Sequence, residues 1–325
     1  MKNLFKTLLL VIGGFAATLS IANDLQTADI LYEKGKIREA LEIYLKPENR
    51  DKTAVQFRIW NIYLNLPDSE RSVEWFSQSA KEGNVYAQYH LGLIYTNGIG
   101  VKQDYNKALT LFTQTAERGY PPALNSMGIL YEEGSGVKQS DYEAAQWYLK
   151  AAKKNYARSQ CNLAGILTYS KTIDKNYHNA YLLLQTCLRL KPDNECCLNR
   201  MAELYSNGWG VKMDNKKAIE LREKAATVGS EVAMYNLGVY YDYGIGVKKD
   251  GQTAIDWYLK ASAKNHAKAM YRLYEAYEYG KLGQTVDKAT AAEWKAKAEK
   301  AMKEQGLSRN ELRDRFRLLM EAGEN

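Results

Sequence analysis

The chain has 325 residues, and its 45 lysines and arginines against 38 acidic residues give a formal net charge of +7. This small excess is spread along the chain, and the arginine-rich stretch at 313–317 is short and interrupted by Asp314, so a nucleic-acid partner is not expected. Beyond the first 22 residues no apolar run is long enough to span a bilayer, which argues against an integral membrane protein.

The first 22 residues have the pattern of a secretory signal. Lys2 and Lys6 precede an apolar run at 8–19, and residues 20–22 form a small-x-small cleavage site. The apolar run is shorter than the roughly 20 residues that a membrane span needs. We therefore expect bacterial export and cleavage after Ala22, which makes the mature protein periplasmic or secreted; an uncleaved membrane anchor is the alternative.

A short glycine-rich loop, G-x-G-V-K, recurs along the chain. A phosphate-binding loop of the G-x-x-x-x-G-K-[ST] type needs its lysine and hydroxyl at fixed offsets after the glycines, and the spacing here is different. A nucleotide site is also rarely needed several times in one chain, so we interpret the loop as a structural element. Its copies lie at 98–102, 134–138, 208–212 and 244–248.

The loops belong to a longer repeat with a period of 36 residues, broken by two extra residues between its third and fourth copies. Equivalent small residues mark the period at Ala87, Ala123, Ser159, Cys197, Ala233 and Ala269. A period of this size is typical of a solenoid, in which each unit buries its apolar face only against its neighbours.

Each period predicts two amphipathic helices joined by a short loop. Ala87, Leu91 and Tyr95 share one face of the first helix. Gly98 stands where this helix needs a left-handed C-terminal residue, and Val101 is interpreted as an apolar plug that packs the loop onto the pair. Every second helix is preceded by a side chain that can cap free backbone N–H groups, namely Asp104, Ser140, Asn176, Asp214, Asp250 and Asp287.

These residues resemble the Sel-one-like repeat, a member of the tetratricopeptide superfamily. The resemblance implies an all-α fold, an α/α superhelical solenoid of antiparallel helix pairs. It is weakest in the third repeat, which lacks the G-x-G loop. The predicted organisation is a signal peptide (1–22), divergent tetratricopeptide-like helix pairs (23–86), six repeats (87–122, 123–158, 159–196, 197–232, 233–268 and 269–303) and a C-terminal capping helix (304–325).

Four cysteines, Cys161, Cys187, Cys196 and Cys197, fall in the third and fourth repeats. Four cysteines allow three pairings, and a bond between the vicinal pair would form a strained ring, which leaves two. Tetratricopeptide geometry, carried over with the resemblance, favours Cys161–Cys196 together with Cys187–Cys197. A metal site is the competing interpretation, but the cysteines lack the C-x-x-C spacing that zinc prefers.

The sequence contains no convincing catalytic constellation. His90, His178 and His266 occupy different positions in different repeats, so they do not predict a shared metal or catalytic centre. Neither H-E-x-x-H nor G-x-S-x-G occurs. An S-x-x-K motif at Ser135 and Lys138 lies inside a repeat loop and is interpreted as coincidental. We expect a non-enzymatic protein without cofactor or metal.

The resemblance implies instead a concave groove, lined by first-helix side chains, that binds a protein or peptide. Tyrosine suits such a surface because its ring buries a large area while its hydroxyl can still form a hydrogen bond. The groove positions carried over from the family are Tyr89, Asn97, Asn125, Glu133, Asn199, Asn207, Tyr235, Asp242, Tyr243, Tyr271 and Tyr279.

The sequence does not identify the partner. One form of the hypothesis is an immunity protein that neutralises a secreted toxic effector, a role that the resemblance brings with it; another is a scaffold or regulator for envelope assembly, signalling or host contact. The rival class is an enzyme that binds or hydrolyses β-lactams, with Ser135 as the first candidate, because some cysteine-rich relatives have been associated with β-lactam binding.

Overall fold

The computed structural model describes residues 24–44, 46, 49, 55, 58–59, 62 and 69–307, and all regular secondary structure in these residues is helical. This confirms the predicted all-α class of paired helices. The predicted signal peptide and the chain from residue 308 onward lie outside the described residues. The chain forms two compact units, Met1–Ala144 and Ala145–Asn325.

Core clusters of the first unit form among its described residues near the N-terminal helices and farther along the chain. In one of them Ala28, Ala40 and Tyr44 pack together, and in another Phe76 packs with Ile94. The helices of this unit include α1 (24–33), α2 (Ile37–Tyr44), α3 (Ser69–Lys81), α4 (Val85–Asn97), α5 (Tyr105–Glu117) and α6 (Pro121–Glu133). The next helix, α7 (Asp141–Ala152), begins in the first unit and ends in the second.

In the second unit each first helix packs on the second helix of its own repeat. Its largest core cluster consists of small and aliphatic side chains such as Leu184, Ala202, Leu204 and Leu237. The helices are α8 (Ala157–Tyr169), α9 (Tyr177–Leu190), α10 (Glu195–Asn207), α11 (Asn215–Thr227), α12 (Glu231–Tyr243), α13 (Gly251–Ala263), α14 (Ala267–Tyr279) and α15 (Lys288–Gln305).

Side-chain caps begin the second helices as the sequence predicts. The Asp104 carboxylate accepts a hydrogen bond from the backbone N–H of Lys107 at 3.0 Å. The five other predicted caps, Ser140, Asn176, Asp214, Asp250 and Asp287, accept equivalent bonds from N–H groups in their own first turns. Each satisfies a backbone donor that the helix itself leaves free.

The repeat loop ends one helix and packs onto the pair. Gly98 has φ of 66° and donates its N–H to the carbonyl of Ile94, which is the predicted left-handed cap. Val101 is partly buried against the core cluster of α3 and α4, which confirms its role as a plug. The first glycines of the other copies cap their helices in the same conformation, at Gly134, Gly208 and Gly244.

The second glycine of the loop has a function that the sequence did not reveal, because it touches the preceding repeat. A Cβ at Gly210 would lie 2.7 Å from the carbonyl carbon of Tyr177, at the start of α9. A Cβ at Gly246 would lie 2.6 Å from Cβ of Asn215, at the start of α11. The loop of one repeat therefore packs directly on the backbone of its neighbour.

The third repeat closes its loop without glycines. Helix α8 is followed by its cap residue Ser170, whose hydroxyl accepts hydrogen bonds from the N–H groups of Thr172 and Ile173. The N–H of Asn176 then donates to the carbonyl of Leu167 at 2.9 Å. The first repeat makes the same closing bond, from the Asp104 N–H to the Tyr95 carbonyl. The junction thus keeps its hydrogen bond although the loop sequence is different.

A pH-dependent cap at His266 gives a first prediction. The Nδ1 atom of His266 accepts the Ala269 N–H at 3.2 Å, and its ring stacks on Tyr235 with centroids 4.7 Å apart. Burial lowers the pKa of His266 to about 4, although the charge of Glu231 raises it slightly. The unfolded chain takes up this proton near pH 6.5, whereas the folded chain resists it, so stability is lost as pH falls from about 6.5 to about 4.

We expect this residue to contribute about 2 kcal/mol to the stability lost between about pH 7 and about pH 4.5. Urea unfolding at the two pH values measures the loss in the native chain and in His266→Asn, which keeps a capping side chain but cannot be protonated. The variant should lose less stability on acidification. Equal losses would show that His266 does not titrate in this range.

Candidate interaction surface

The groove residues predicted from the resemblance lie at three depths. Asn125 and Tyr235 are buried, at 2% and 6% exposure, so their side chains contribute packing instead of accessible surface. The predicted residues with exposed side chains are Asn97, Glu133, Asn207 and Tyr279. Those that are half-buried are Tyr89, Asn199, Asp242, Tyr243 and Tyr271.

In the first unit the predicted residues act mainly within their own repeat. The ring of Tyr89 has its centroid 5.7 Å from that of Phe112 and 5.3 Å from that of Tyr120. The side chain of Asn97 donates to the carbonyl of Leu93, one turn earlier in α4, at 2.8 Å. These contacts stabilise the aromatic packing and the end of the helix.

In the second unit an arginine lies between a tyrosine and a glutamate on consecutive first helices. Arg272 of α14 donates to the hydroxyl of Tyr243 of α12 at 2.9 Å, and its Cζ lies 5.6 Å from the centre of that ring. Arg272 also pairs with Glu275 at 3.2 Å. Arg272 and Glu275 are 8% and 6% exposed, and such shielding from water strengthens charge-assisted bonds. The cluster fixes Tyr243 at the junction of two repeats.

The same three residue types occur two repeats earlier at the same repeat positions. The arginine and the glutamate lie 72 residues earlier, and the two-residue insertion makes the step 74 residues for the tyrosine. Arg200 of α10 has its Cζ 5.7 Å from the centre of the Tyr169 ring of α8. Burial raises the pKa of Tyr169 far above its ordinary value, and the charge of Glu203 and a hydrogen bond with it raise it further. The positive charges of Arg200 and Arg222 act in the opposite direction. Tyr169, Arg200 and Glu203 thus form a second cluster.

Two of the predicted polar residues form hydrogen bonds within the second unit. The amide of Asn199 donates to the hydroxyl of Ser230, the cap of α12, at 2.8 Å. The carboxylate of Asp242 accepts the hydroxyl of Tyr258 from α13 at 3.2 Å. The first bond joins α10 to the start of the next first helix, and the second joins α12 to the second helix of its own repeat.

The two remaining predicted tyrosines gather around a third one on α14. The ring of Tyr274 has its centroid 5.4 Å from that of Tyr271 and 6.3 Å from that of Tyr279. Tyr271 packs against the core between α14 and α15, whereas Tyr279 is 57% exposed. An aromatic surface therefore lies at the end of this helix.

Two disulfides join the repeat that has lost its glycine loop to the first helix of the next repeat. One joins Cys161 of α8 to Cys196 of α10 with Cα atoms 6.1 Å apart, and the other joins Cys187 to Cys197 with Cα atoms 6.5 Å apart. Cys161, Cys187 and Cys197 are fully buried, whereas Cys196 is exposed. Such bonds are consistent with an oxidising compartment.

Other kinds of site find no support in the part of the chain that the structure describes. Within residues 24–307, gaps excepted, no three potential metal-ligating side chains come together. In the same residues no helix combines the length and the apolar character that crossing a bilayer requires.

The arginines and glutamates of the two clusters were not among the residues predicted from the sequence. A signal was present, because R-M-A-E at 200–203 and R-L-Y-E at 272–275 occupy the same positions of the fourth and sixth repeats. Each follows a repeat whose first helix ends in tyrosine, at Tyr169 and Tyr243. Aligning the charged residues of the repeats would have paired them.

Solved structures of repeat proteins are similar to this chain. A Sel1 repeat protein from Oxalobacter formigenes is 24% identical with a TM-score of 0.62, over 85% of this chain and 99% of its own. The protein c5321, a protective antigen of uropathogenic Escherichia coli with an SLR fold, is 24% identical with a TM-score of 0.62, over 90% of this chain and 64% of its own. The immunity protein Pa5087 from Pseudomonas aeruginosa is 16% identical with a TM-score of 0.48, over 67% and 81%.

No curated protein sequence matches the chain. The family model of the Sel1 repeat does match it, over more than half of its length, at residues 66–84, 85–120, 121–156, 157–186, 197–230, 232–266 and 267–301. The helix pairs and capped loops described above are distributed over these same segments. The chain therefore belongs to the Sel1 repeat family.

Proposed function

We propose that this chain is an exported, non-enzymatic scaffold that binds a protein or peptide partner along the first helices of its second unit. The Sel1 repeat fold itself suggests a scaffold for protein–protein interaction. The observation that supports this location is the repeated cluster of tyrosine, arginine and glutamate, centred on Arg200 and on Arg272.

These polar residues lie outside the largest apolar core cluster of the second unit. The core at the same helices is built from side chains such as Ala202, Leu204 and Leu237. Tyrosine and arginine are enriched among the residues that dominate binding energy in protein interfaces, because they bury a large area and still form directed hydrogen bonds. Their recurrence at equal positions in two repeats supports a binding surface.

The proposed surface follows the C-terminal ends of the first helices. The last residues of α8, α10, α12 and α14 occupy one repeat position, and we call them the end row: Tyr169, Asn207, Tyr243 and Tyr279. Asn207 and Tyr279 are exposed, and Tyr169 is 37% exposed. A partner that lies across the end row would meet three tyrosines and, beside Tyr169 and Tyr243, the two arginines.

The finer proposal concerns the partner and the compartment. The partner would be a toxic secreted effector, which this chain neutralises in the bacterial periplasm. The signal pattern of residues 1–22 and the two disulfides support this compartment. Isolation of the chain from the periplasm with Asn23 as its first residue would establish export and cleavage.

Site-specific photo-crosslinking in cells tests the binding surface. A photoreactive phenylalanine derivative replaces Tyr279 of the end row, and in a matched control it replaces Leu259, which is 40% exposed on the second helix α13. We expect a partner adduct at Tyr279 and none at Leu259. Adding Tyr243→Ala to the Tyr279 probe should reduce the adduct about tenfold, as loss of an interface anchor would.

Three outcomes contradict the proposal. The first is an equal adduct at Leu259, which would indicate non-specific contact. The second is an adduct at Tyr279 that Tyr243→Ala leaves unchanged. The third is the absence of any adduct along the end row.

A further inference from the structure

Arg222 occupies a core position of the repeat. It lies four residues after the recurring alanine of the second helix, here Ala218. The side chains at this position in four other repeats are at most 1% exposed, and they are Phe112, Tyr148, Leu184 and Tyr258. Arg222 is itself only 5% exposed. In the sixth repeat this position holds Lys295, whose side chain is exposed. Arg222 therefore places a buried positive charge where four other repeats place a hydrocarbon or an aromatic ring.

The facing position of the first helix is adapted to the side chain it meets. A Cβ at Gly92 would lie 2.5 Å from the Phe112 ring, so the ring needs this glycine. The equivalent residue of the third repeat, which has a leucine at the core position, is Ala164, and that of the fourth repeat is Ala202. The fourth repeat thus has alanine at the facing position, as the leucine repeat does, whereas an aromatic ring is faced by glycine. This fits the aliphatic stem of Arg222.

The guanidinium of Arg222 has no carboxylate partner among the described residues. Its Cζ lies 5.5 Å from the centre of the Tyr240 ring, and its Nε and the Tyr240 hydroxyl are buried without hydrogen-bond partners in the described structure. The Nε of Arg200 is likewise buried without a hydrogen-bond partner in the described structure. Both arginines act electrostatically on the Tyr169 hydroxyl, which Glu203 also engages.

Arg272 shows how the same fold satisfies such a charge internally. That guanidinium pairs with Glu275 and donates to Tyr243. A buried charge that lacks such partners is costly, and buried charges in proteins are paired as a rule. The Nε–H groups of the two arginines of the fourth repeat therefore have capacity for an acceptor that the described residues do not supply.

We propose that Arg200 and Arg222, beside Tyr169, bind the carboxylate of an aspartate or glutamate side chain of the protein partner. This inference rests on the proposed function, because Tyr169 belongs to the end row. Two guanidiniums against one carboxylate are complementary in charge, and an arginine can bind both carboxylate oxygens at once. A side chain on a flexible stem suits the site because Arg222 is too deeply buried for a partner backbone to reach.

Titration of the full-length ¹⁵N-labelled protein with short peptides tests the site through the arginine Nε–H signals in NMR spectra. The probe is acetyl-Gly-Glu-Gly-amide, and its controls are the glutamine analogue and acetyl-Gly-Gly-Gly with a free C-terminus. We expect the glutamate peptide to shift the signals of Arg200 and Arg222 but not that of Arg272. No shift, or an equal shift from either control peptide, would overturn the assignment.

Two leucine variants separate binding from folding. Arg222→Leu reproduces the pattern of the third repeat, so it should raise the melting temperature by several degrees and abolish the peptide-induced shift at Arg200. Arg272→Leu removes a satisfied ion pair and should lower the melting temperature. A lower melting temperature for Arg222→Leu, or an undiminished shift at Arg200, counts against the proposal. Arg200→Gln, which leaves the core residue in place, provides a second test of peptide binding.

The crosslinking experiment distinguishes failure of this inference from failure of the proposed function. If Arg222→Leu leaves the partner adduct at Tyr279 undiminished, the carboxylate site is wrong and the scaffold function stands. If no adduct forms at the end row, the scaffold function is wrong, and the peptide titration still decides whether the arginines bind carboxylate.

Discussion

Replacing Cys161 and Cys196 together with alanine is expected to lower the free energy of unfolding by about 4 kcal/mol. The bond joins cysteines 35 residues apart, on the first helices of two consecutive repeats, so it removes much conformational freedom from the unfolded chain. It also braces the repeat whose loop lacks the glycine caps. Urea unfolding under oxidising conditions measures the loss.

The second disulfide provides the control for this experiment. Cys187 and Cys197 are only 10 residues apart and both fully buried, whereas Cys196 is exposed. A mild reductant should therefore open Cys161–Cys196 first and bring the native chain to the stability of the double variant, which should itself respond little. A double variant as stable as the oxidised native chain would mean that this bond does not contribute to stability.

Replacing Gly210 with alanine is expected to lower the free energy of unfolding by about 3 kcal/mol or more. Two costs add at this position. Its φ of 71° lies in the left-handed region, where a residue with a Cβ is strained. The new Cβ would also lie 2.7 Å from the carbonyl carbon of Tyr177, and this contact with backbone can be relieved only by moving α9 away from the loop.

Gly283 separates the two costs. It has φ of 76°, yet a Cβ there would have no neighbour within 4 Å. Gly283→Ala should therefore lose only about 1 kcal/mol, from backbone strain alone. Urea midpoints of the two variants, compared with the native chain, measure the difference. Similar losses for both would show that the contact between neighbouring repeats at Gly210 is not tight.

The helix pairs and their ends could be predicted from sequence because they depend on local chemistry repeated six times. A cap such as Asp104 or Gly98 acts on backbone groups within a few residues of itself, so its position in the repeat identifies its role. The second glycine was not predicted for the opposite reason. Gly210 is required by Tyr177, which belongs to another repeat and lies 33 positions away in the sequence.

The exposed fraction of the candidate surface residues also could not be predicted from their positions in the repeat. Tyr235 and Tyr271 share one repeat position, yet Tyr235 is buried because His266 stacks on it, whereas Tyr271 is half-buried. The repeat pattern determines which helix face a residue occupies but does not tell how much of it the next repeat covers. The end row was partly predicted, since Asn207, Tyr243 and Tyr279 were among the expected groove residues.

The charged residues in the interior were the most important feature that was not predicted from the sequence. The pattern of small and aromatic residues defines the repeat, and Arg222 interrupts that pattern at a buried position. Sequence periodicity treats such an exception as degeneration. In the structure the Arg222 guanidinium lies beside the Tyr240 ring, and its positive charge opposes the rise that burial causes in the pKa of Tyr169. This location makes Arg222 a candidate for function.

The hydrogen bond that closes each junction has a consequence for how such proteins diverge. In the first and third repeats it runs between backbone atoms, from Asp104 to Tyr95 and from Asn176 to Leu167. Because no side chain takes part in it, mutation can rewrite the loop, even to the point of losing both glycines, without changing where the second helix begins. The junctions can thus accumulate sequence drift while the spacing of the surface residues is inherited unchanged.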